Sequence, residues 1–423
     1  MKRLFPLLIL LHSLSGLLAN TAQADDDELN MDNPGSIAEQ FKQDTELKEY
    51  RFQIPGFGSL LEPWHELRTE LADQHGFRPN FSATHLYQGS SDNVGREDSV
   101  SGYELVVDGT WTLAGRDTSS PTTAGFEVLY RDFTSELPPV AFFTQVGTLY
   151  PTTVAFAEID PTLGQFWIQK KFDNRWGFQV GKLFPVATYD FFPLKNFRTD
   201  FMDAIHGANF VMPLPDRGIG GYLMYRPVAN SYLRLGIHDA NADAEEFDVD
   251  GFVDDSEFFS ILEIGFDPGL SERQPGRPPP GDVHLSLWHQ DEREDAGVAE
   301  AWGFILAGSQ RFGRYLPFLR YGYADNDSEA GLSDPTPIEH MLNAGIAIDD
   351  LFGYSNDRLG IGATWSRPAD NRLDDQGALD IYYRLQITPQ VAITPTFHLV
   401  IDPVRNPDDD PVLVWGIRTR FVF

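Results

Sequence analysis

Apolar and polar residues alternate with a period of two through most of the chain beyond Arg78. The last eleven residues show the pattern plainly. Leu413, Trp415, Ile417, Thr419, Phe421 and Phe423 share one face of an extended strand, and Val414, Gly416, Arg418, Arg420 and Val422 share the other. One face suits lipid and the other suits water. A strand of about ten residues with an apolar band and an aromatic end has the dimensions of one stave of an outer-membrane barrel. The same alternation recurs upstream. Leu233, Leu235 and Ile237 oppose Arg234 and His238; Leu379, Ile381, Tyr383 and Leu385 oppose Asp380, Tyr382, Arg384 and Gln386; Val283, Leu285 and Leu287 oppose His284, Ser286, Trp288 and Gln290.

Segments of this kind predict sixteen strands: Arg78–Gly89, Val100–Gly115, Thr122–Phe133, Pro161–Lys171, Arg175–Phe184, Arg217–Arg226, Ser231–Asp239, Ser256–Phe266, Asp282–Gln290, Glu300–Arg311, Tyr315–Asp325, Ile338–Ile348, Asn356–Arg367, Gln376–Thr388, Val391–Asp402 and Pro411–Phe423. The fold class is all-β, a transmembrane antiparallel up-and-down β-barrel preceded by a short helical segment. Tight connections (Phe172–Asn174, Pro227–Asn230, Phe312–Arg314, Pro389–Gln390) alternate with longer ones (Thr134–Asp160, Pro185–Asp216, Ala240–Asp255, Asn326–Pro337, Pro403–Asp410), as short periplasmic turns alternate with outer loops. Asp267–Gly281 is long where a short turn is expected, and Ile205–Leu214 is left out of the strands because an extra one would break the alternation. Lys182 shares a face with Trp176, Phe178 and Val180, so it is expected to snorkel from the lipid side near a strand end.

Four regions follow. Residues 1–24, with Lys2, Arg3, an apolar stretch from Leu4 to Leu18 and the small-residue site Ala22-Gln23-Ala24, read as a secretory signal peptide. Residues 25–58 form an acidic periplasmic extension, with a short helix conceivable over Ser36–Tyr50. Residues 59–77 predict an amphipathic helix at the periplasmic mouth: Pro63 suits a first turn, Leu60, Trp64, Leu67 and Leu71 recur at helical spacing, and Gly76 suits the position after the end. Residues 78–423 are the barrel. After the signal no apolar run reaches the roughly 20 residues of a transmembrane helix, so any span must be made of strands.

Composition narrows the chemistry. The 423-residue chain has no Cys, so an exported fold here rests on inter-strand hydrogen bonds and not on disulfides. A formal charge of −31 repels phosphate backbones and sets nucleic acid aside as a partner; most of that acidity belongs to solvated loops. No Ser, His and acid set for an enzymatic barrel stands out, and no cofactor is implied. Asp248-Val249-Asp250-Gly251 with Glu257 misses the spacing of a calcium loop, Gly218-Ile219-Gly220-Gly221 lacks the helix of a nucleotide-binding turn, and His284 and His289 lie on opposite faces of one strand. No metal is expected.

A charged side chain on the lipid face near the midplane would cost about 2–4 kcal/mol, so the charged parity is the lumen parity. That places Glu104, Asp108, Gln165, Trp167, Trp288 and Gln290 among the pore-lining candidates, with Arg226, Arg234, Arg320 and Arg384 on the same side. The loop Pro185–Asp216 carries Phe191, Phe192, Phe197, Phe201 and Phe210 with Lys195, Arg198, Asp200 and Asp203 among them; so aromatic a loop is expected to fold inward as a constriction.

From about Leu60 onward the chain resembles the carbohydrate-selective porin family (OprB type). The resemblance is carried by Leu61-Glu62-Pro63-Trp64 with Arg68, Leu71 and Gly76; Gly181-Lys182-Leu183; Leu235 to Asp243; Glu263-Ile264-Gly265; Leu285-Ser286-Leu287-Trp288-His289; Pro317 to Asp325; Tyr382 to Pro389; and Ile401-Asp402-Pro403 through Asn406-Pro407. Trp64-His65-Glu66 departs from the Gly-rich residues usual near the first helix. The resemblance implies a sixteen-stranded channel in the outer membrane of a Gram-negative bacterium, passing monosaccharides and related small solutes, in contact with lipid and lipopolysaccharide, as a monomer or homotrimer. It also implies an arginine cluster at the constriction, for which Arg226, Arg234, Arg320 and Arg384 are the candidates. A general or cation-preferring porin is the alternative.

Overall fold

The computed structural model describes residues 51–52 and 57–423, apart from 117, 229, 255, 268–280, 294–297, 326–336 and 409. Sixteen strands close into one antiparallel barrel in which each strand pairs with its neighbours in sequence and the last pairs with the first. They are β1 (Phe77–Ser90), β2 (Ser99–Ala114), β3 (Thr122–Phe133), β4 (Ile159–Lys171), β5 (Trp176–Leu183), β6 (Gly218–Tyr225), β7 (Ser231–Asp239), β8 (Phe258–Phe266), β9 (Gly281–Gln290), β10 (Ala301–Gln310), β11 (Tyr315–Asp325), β12 (Ile338–Asp349), β13 (Arg358–Pro368), β14 (Gln376–Thr388), β15 (Val391–Ile401) and β16 (Val412–Val422). Closure leaves no sheet edge unpaired, which a strand-built membrane span requires.

The parity is as expected. On β16, Trp415 and Ile417 are exposed on the outer wall while Arg418 and Arg420 are buried inside. The outer wall carries the exposed apolar side chains of Leu235, Leu306, Leu319 and Phe397, and the inner wall buries Asp108, Gln165 and Arg234. Expected and observed strand ends differ by two residues at most, as at β4, β8 and β13.

Three expectations need correction. Lys182 does not reach lipid: it keeps the outer-face register opposite Phe166, but the loop after β7 covers it, and its amine donates to the Ala244 and Glu246 carbonyls at 2.6 and 2.5 Å, next to Gly181 (φ +142°). Only glycine adopts that backbone without strain, and a Cβ at Gly181 would lie 2.2 Å from the Phe166 carbonyl. The N-terminal helix runs over Phe57–Glu70, so Pro63 lies in its interior and forfeits one helix hydrogen bond where a first-turn proline would have forfeited none. Its apolar stripe is only partly covered, with Trp64 and Leu71 half-buried and Leu67 exposed.

A wider turn, Leu71–His75, continues this helix and ends at the left-handed Gly76 (φ +67°). The Arg116 guanidinium donates to the Asp73 and Gln74 carbonyls and the Trp111 indole to that of His75, which fixes the helix end against β1 and β2. The Arg51 and Phe52 amides both donate to the Ile387 carbonyl on β14, and Arg51 pairs with Asp357. The segment before β1 is thus held at two places on the turn-bearing end. The expected signal peptide, the expected helix over 36–50 and most of the Asp267–Gly281 and Asn326–Pro337 connections lie outside the described residues.

Candidate functional site

The connection between β5 and β6 folds into the barrel. Tyr189, Phe192 and Phe201 are buried, which explains why so aromatic a loop does not sit in water. Phe192 meets Phe318 of β11 edge to face at 4.8 Å, and Phe201 meets Tyr382 of β14 in the same way while stacking on His206 at 4.0 Å. Asp203 caps the short helix Ala204–Ala208 by accepting from the Ile205 amide at 3.1 Å. The loop therefore reaches from the β7–β11 wall to the β14–β16 wall.

Charged groups seat it. On one side Asp190 pairs with Arg320, and its amide donates to Glu263 at 2.7 Å; Glu263 in turn takes a hydrogen bond from Ser286 at 2.9 Å and faces Arg234 at 3.3 Å. His284 contacts Asp190 at 3.3 Å and Asp282 at 2.5 Å. Burial alone would raise the Asp190 carboxyl, but Arg320, His284 and Lys195 outweigh it and hold it well below the usual carboxylate range. On the other side Arg198 pairs with Glu104 at 2.5 Å, and Arg131 shares that carboxylate at 2.7 Å. Asp200 accepts from Arg358 at 2.9 Å and from the Tyr382 hydroxyl at 3.0 Å, with Arg384 at 3.9 Å. Arg418 donates to the carbonyls of Phe197 and Asp200. Lys195, wholly enclosed, donates to the Tyr189 carbonyl at 2.6 Å, and its burial brings the amine down to about 8.

The candidates on strands lie on the inner side, Arg198 and Lys195 belong to the loop, and the four arginines do not form one cluster. Arg320 and Arg234 serve the Asp190–Glu263 network, Arg384 stands near Asp200, and Arg226 follows β6 at the turn-bearing end, its amide donating to Arg175. Arg320, Arg234 and Arg384 each face a different carboxylate, and like charges separate when buried. Gln165 donates to Glu127 at 3.2 Å; Asp108 and Gln290 are buried on the inner wall. Trp167 and Trp288, 4% and 3% exposed, pack with the loop residues Tyr189, Ile205 and Val211, so they serve the seat of the loop and present no open face to the lumen.

Asp190, His206, Glu263 and His398 were missed. Strand parity alone puts Glu263 and His398 inside, but no signal in the loop distinguishes Asp190 from the other acids of so acidic a chain. Asp203, Asp380 and His398 also converge, from three separate elements.

Residues 312–423, which hold the last six strands, match the model of the family described as carbohydrate-selective porin, OprB family. No curated protein matches the chain. Among solved structures, Pseudomonas putida OprB at high pH superposes with a TM-score of 0.67 at 13% identity, over 85% of this chain and 97% of that one. The same Pseudomonas putida protein at low pH gives a TM-score of 0.52 at 12% identity, over 89% and 100% of the two chains. The expected resemblance thus holds in sequence over the last six strands and as a shared fold over the barrel.

Proposed function

We propose that the protein is an outer-membrane porin for passive diffusion of carbohydrates, glucose-like monosaccharides and related small solutes, into the periplasm of a Gram-negative bacterium. The barrel of residues 78–423 is the channel, residues 59–77 lie at its periplasmic mouth, and residues 1–24 direct export. The observation that carries the reading is the loop seated across the lumen by internal ion pairs. Arg320 with Asp190, Arg234 with Glu263 and Arg198 with Glu104 leave a wall dense in hydrogen-bonding groups but locally neutralised. Such a wall suits a neutral, hydroxyl-rich solute that exchanges hydrogen bonds with water at little cost and leaves as readily as it enters. Gln165, Gln290, Asp108, Arg226 and Arg384 supply further polar groups, while the enclosed Lys195, Trp167 and Trp288 hold the loop in its seat.

Liposome swelling with the purified protein tests this: sugars should enter faster than size-matched amino acids, and equal rates would remove the carbohydrate claim. The alternative is a cation-preferring channel, favoured by the excess of 63 acidic over 32 basic residues. A reversal potential in a salt gradient that is strongly cation-selective would decide for it.

A further inference from the structure

Asp203, Asp380 and His398 meet where the inward loop touches β14 and β15, and all three are buried. Asp380 and His398 are register partners across the β14–β15 ladder with their side chains in contact. The loop brings the third group: one Asp203 oxygen is fixed by capping the Ile205 amide, and the other lies 3.6 Å from His398 Nδ1. One ligand atom from each residue lies within 4.8 Å of those from the other two.

We propose that this triad binds a divalent d-block cation, with Zn2+ as the probe, and so staples the loop to the barrel wall. Bonds of about 2.0–2.2 Å to nitrogen and carboxylate oxygen set ligand atoms roughly 3.4 Å apart, so the metal would draw Asp203 in, part Asp380 from His398 and displace the proton they share. A mixed imidazole and carboxylate set favours Zn2+, Co2+ or Ni2+ over the all-oxygen preference of Ca2+ and Mg2+.

Two features of the surroundings point the same way. Nε2 of His398 is buried with no hydrogen-bond partner among the described residues, and the Tyr150 hydroxyl, beside Gln376 and Ser366, is near enough for the charges of Asp203 and Asp380 to act on it. Turning the imidazole so that Nε2 takes the metal would satisfy that atom. A supporting layer also exists: Asn343 Nδ2 faces His206 Nδ1 at 3.3 Å, which leaves His206 Nε2 to donate to Asp380 at 3.0 Å. Metal sites use such a partner to orient a ligating carboxylate. The nearby arginines are engaged elsewhere, Arg320 on Asp190 and Arg418 on the Phe197 and Asp200 carbonyls.

The test is calorimetric titration of Zn2+ into the full-length, EDTA-stripped protein in detergent. The expected result is one equivalent per chain, with affinity at least tenfold weaker in Asp203→Asn and His398→Gln and unchanged in Asp243→Asn, an exposed loop acid. Absence of stoichiometric binding, or wild-type affinity in both triad variants, overturns the proposal. Asp203 lies outside the strand ladders, so Asp203→Asn decides the matter should His398→Gln fail to assemble. The readout is independent of transport, so its outcome stands apart from that of the swelling assay.

Discussion

Gly125 on β3 lies directly opposite Trp167 on β4, and a methyl group at Gly125 would come within 2.1 Å of the indole. The relationship recurs on the inner wall: Gly360 of β13 opposes Tyr382 of β14, and its Cβ would also come within 2.1 Å of the ring. Each glycine makes a shallow seat in which a large ring lies flat against the sheet, leaving room for the loop to pack above it.

Gly125→Ala is therefore expected to displace Trp167 and cost about 1–3 kcal/mol by overpacking. In a Trp167→Ala background the same change should cost much less. Guanidinium unfolding of the four proteins in detergent gives the coupling; equal costs in both backgrounds would show that the ring is not what the glycine accommodates.

The strands were legible because lipid imposes a rule on every second residue, and Leu379, Ile381 and Leu413 obey it without reference to anything distant. The seat of the loop was not legible in the same way. Arg320 and Asp190 stand 130 residues apart, and nothing in the local pattern of either selects the other. The inward fold of the loop could be read from its aromatic content, but its charge partners could not. Lys182 was misread for the same reason: its face follows the period, but the loop that covers it, at Ala244 and Glu246, lies more than 60 residues away.

Lys182→Met should therefore loosen an outer loop and leave the wall intact. The change removes two buried hydrogen bonds from a charged donor to Ala244 and Glu246, at about 1.5–3 kcal/mol each. Faster amide exchange over residues 240–247, with no change in the β4–β6 ladders, is the expected result; unchanged exchange in that loop would contradict it.

Asp190→Asn unseats one end of the inward loop. It strips Arg320 of its carboxylate partner and weakens the contact with His284, and breaking a buried pair from one side costs about 3–5 kcal/mol. The strand ladders are untouched, so heat-modifiable mobility on gels should persist. Single-channel conductance should rise and fluctuate more as the loop leaves the lumen. Wild-type conductance and noise would mean that the Phe192–Phe318 and Phe201–Tyr382 contacts hold the loop without the ion pair.

Lys195 gives the pore a pH dependence whose sign can be worked out. Burial lowers its amine to about 8, from 10.5 in the unfolded chain, so the folded state disfavours the proton. Below pH 8 the buried charge counts against stability; the penalty fades as pH rises through 8 and has vanished above 10.5. The same deprotonation removes one positive charge from the inward loop. The ratio of cation to anion permeability, read from reversal potentials in a KCl gradient, should rise between pH 7 and 9. Lys195→Met has no amine to titrate and should already show the higher ratio at pH 7, with a smaller rise across the interval. If the variant rises as much as the wild-type protein, the titrating charge belongs to another group.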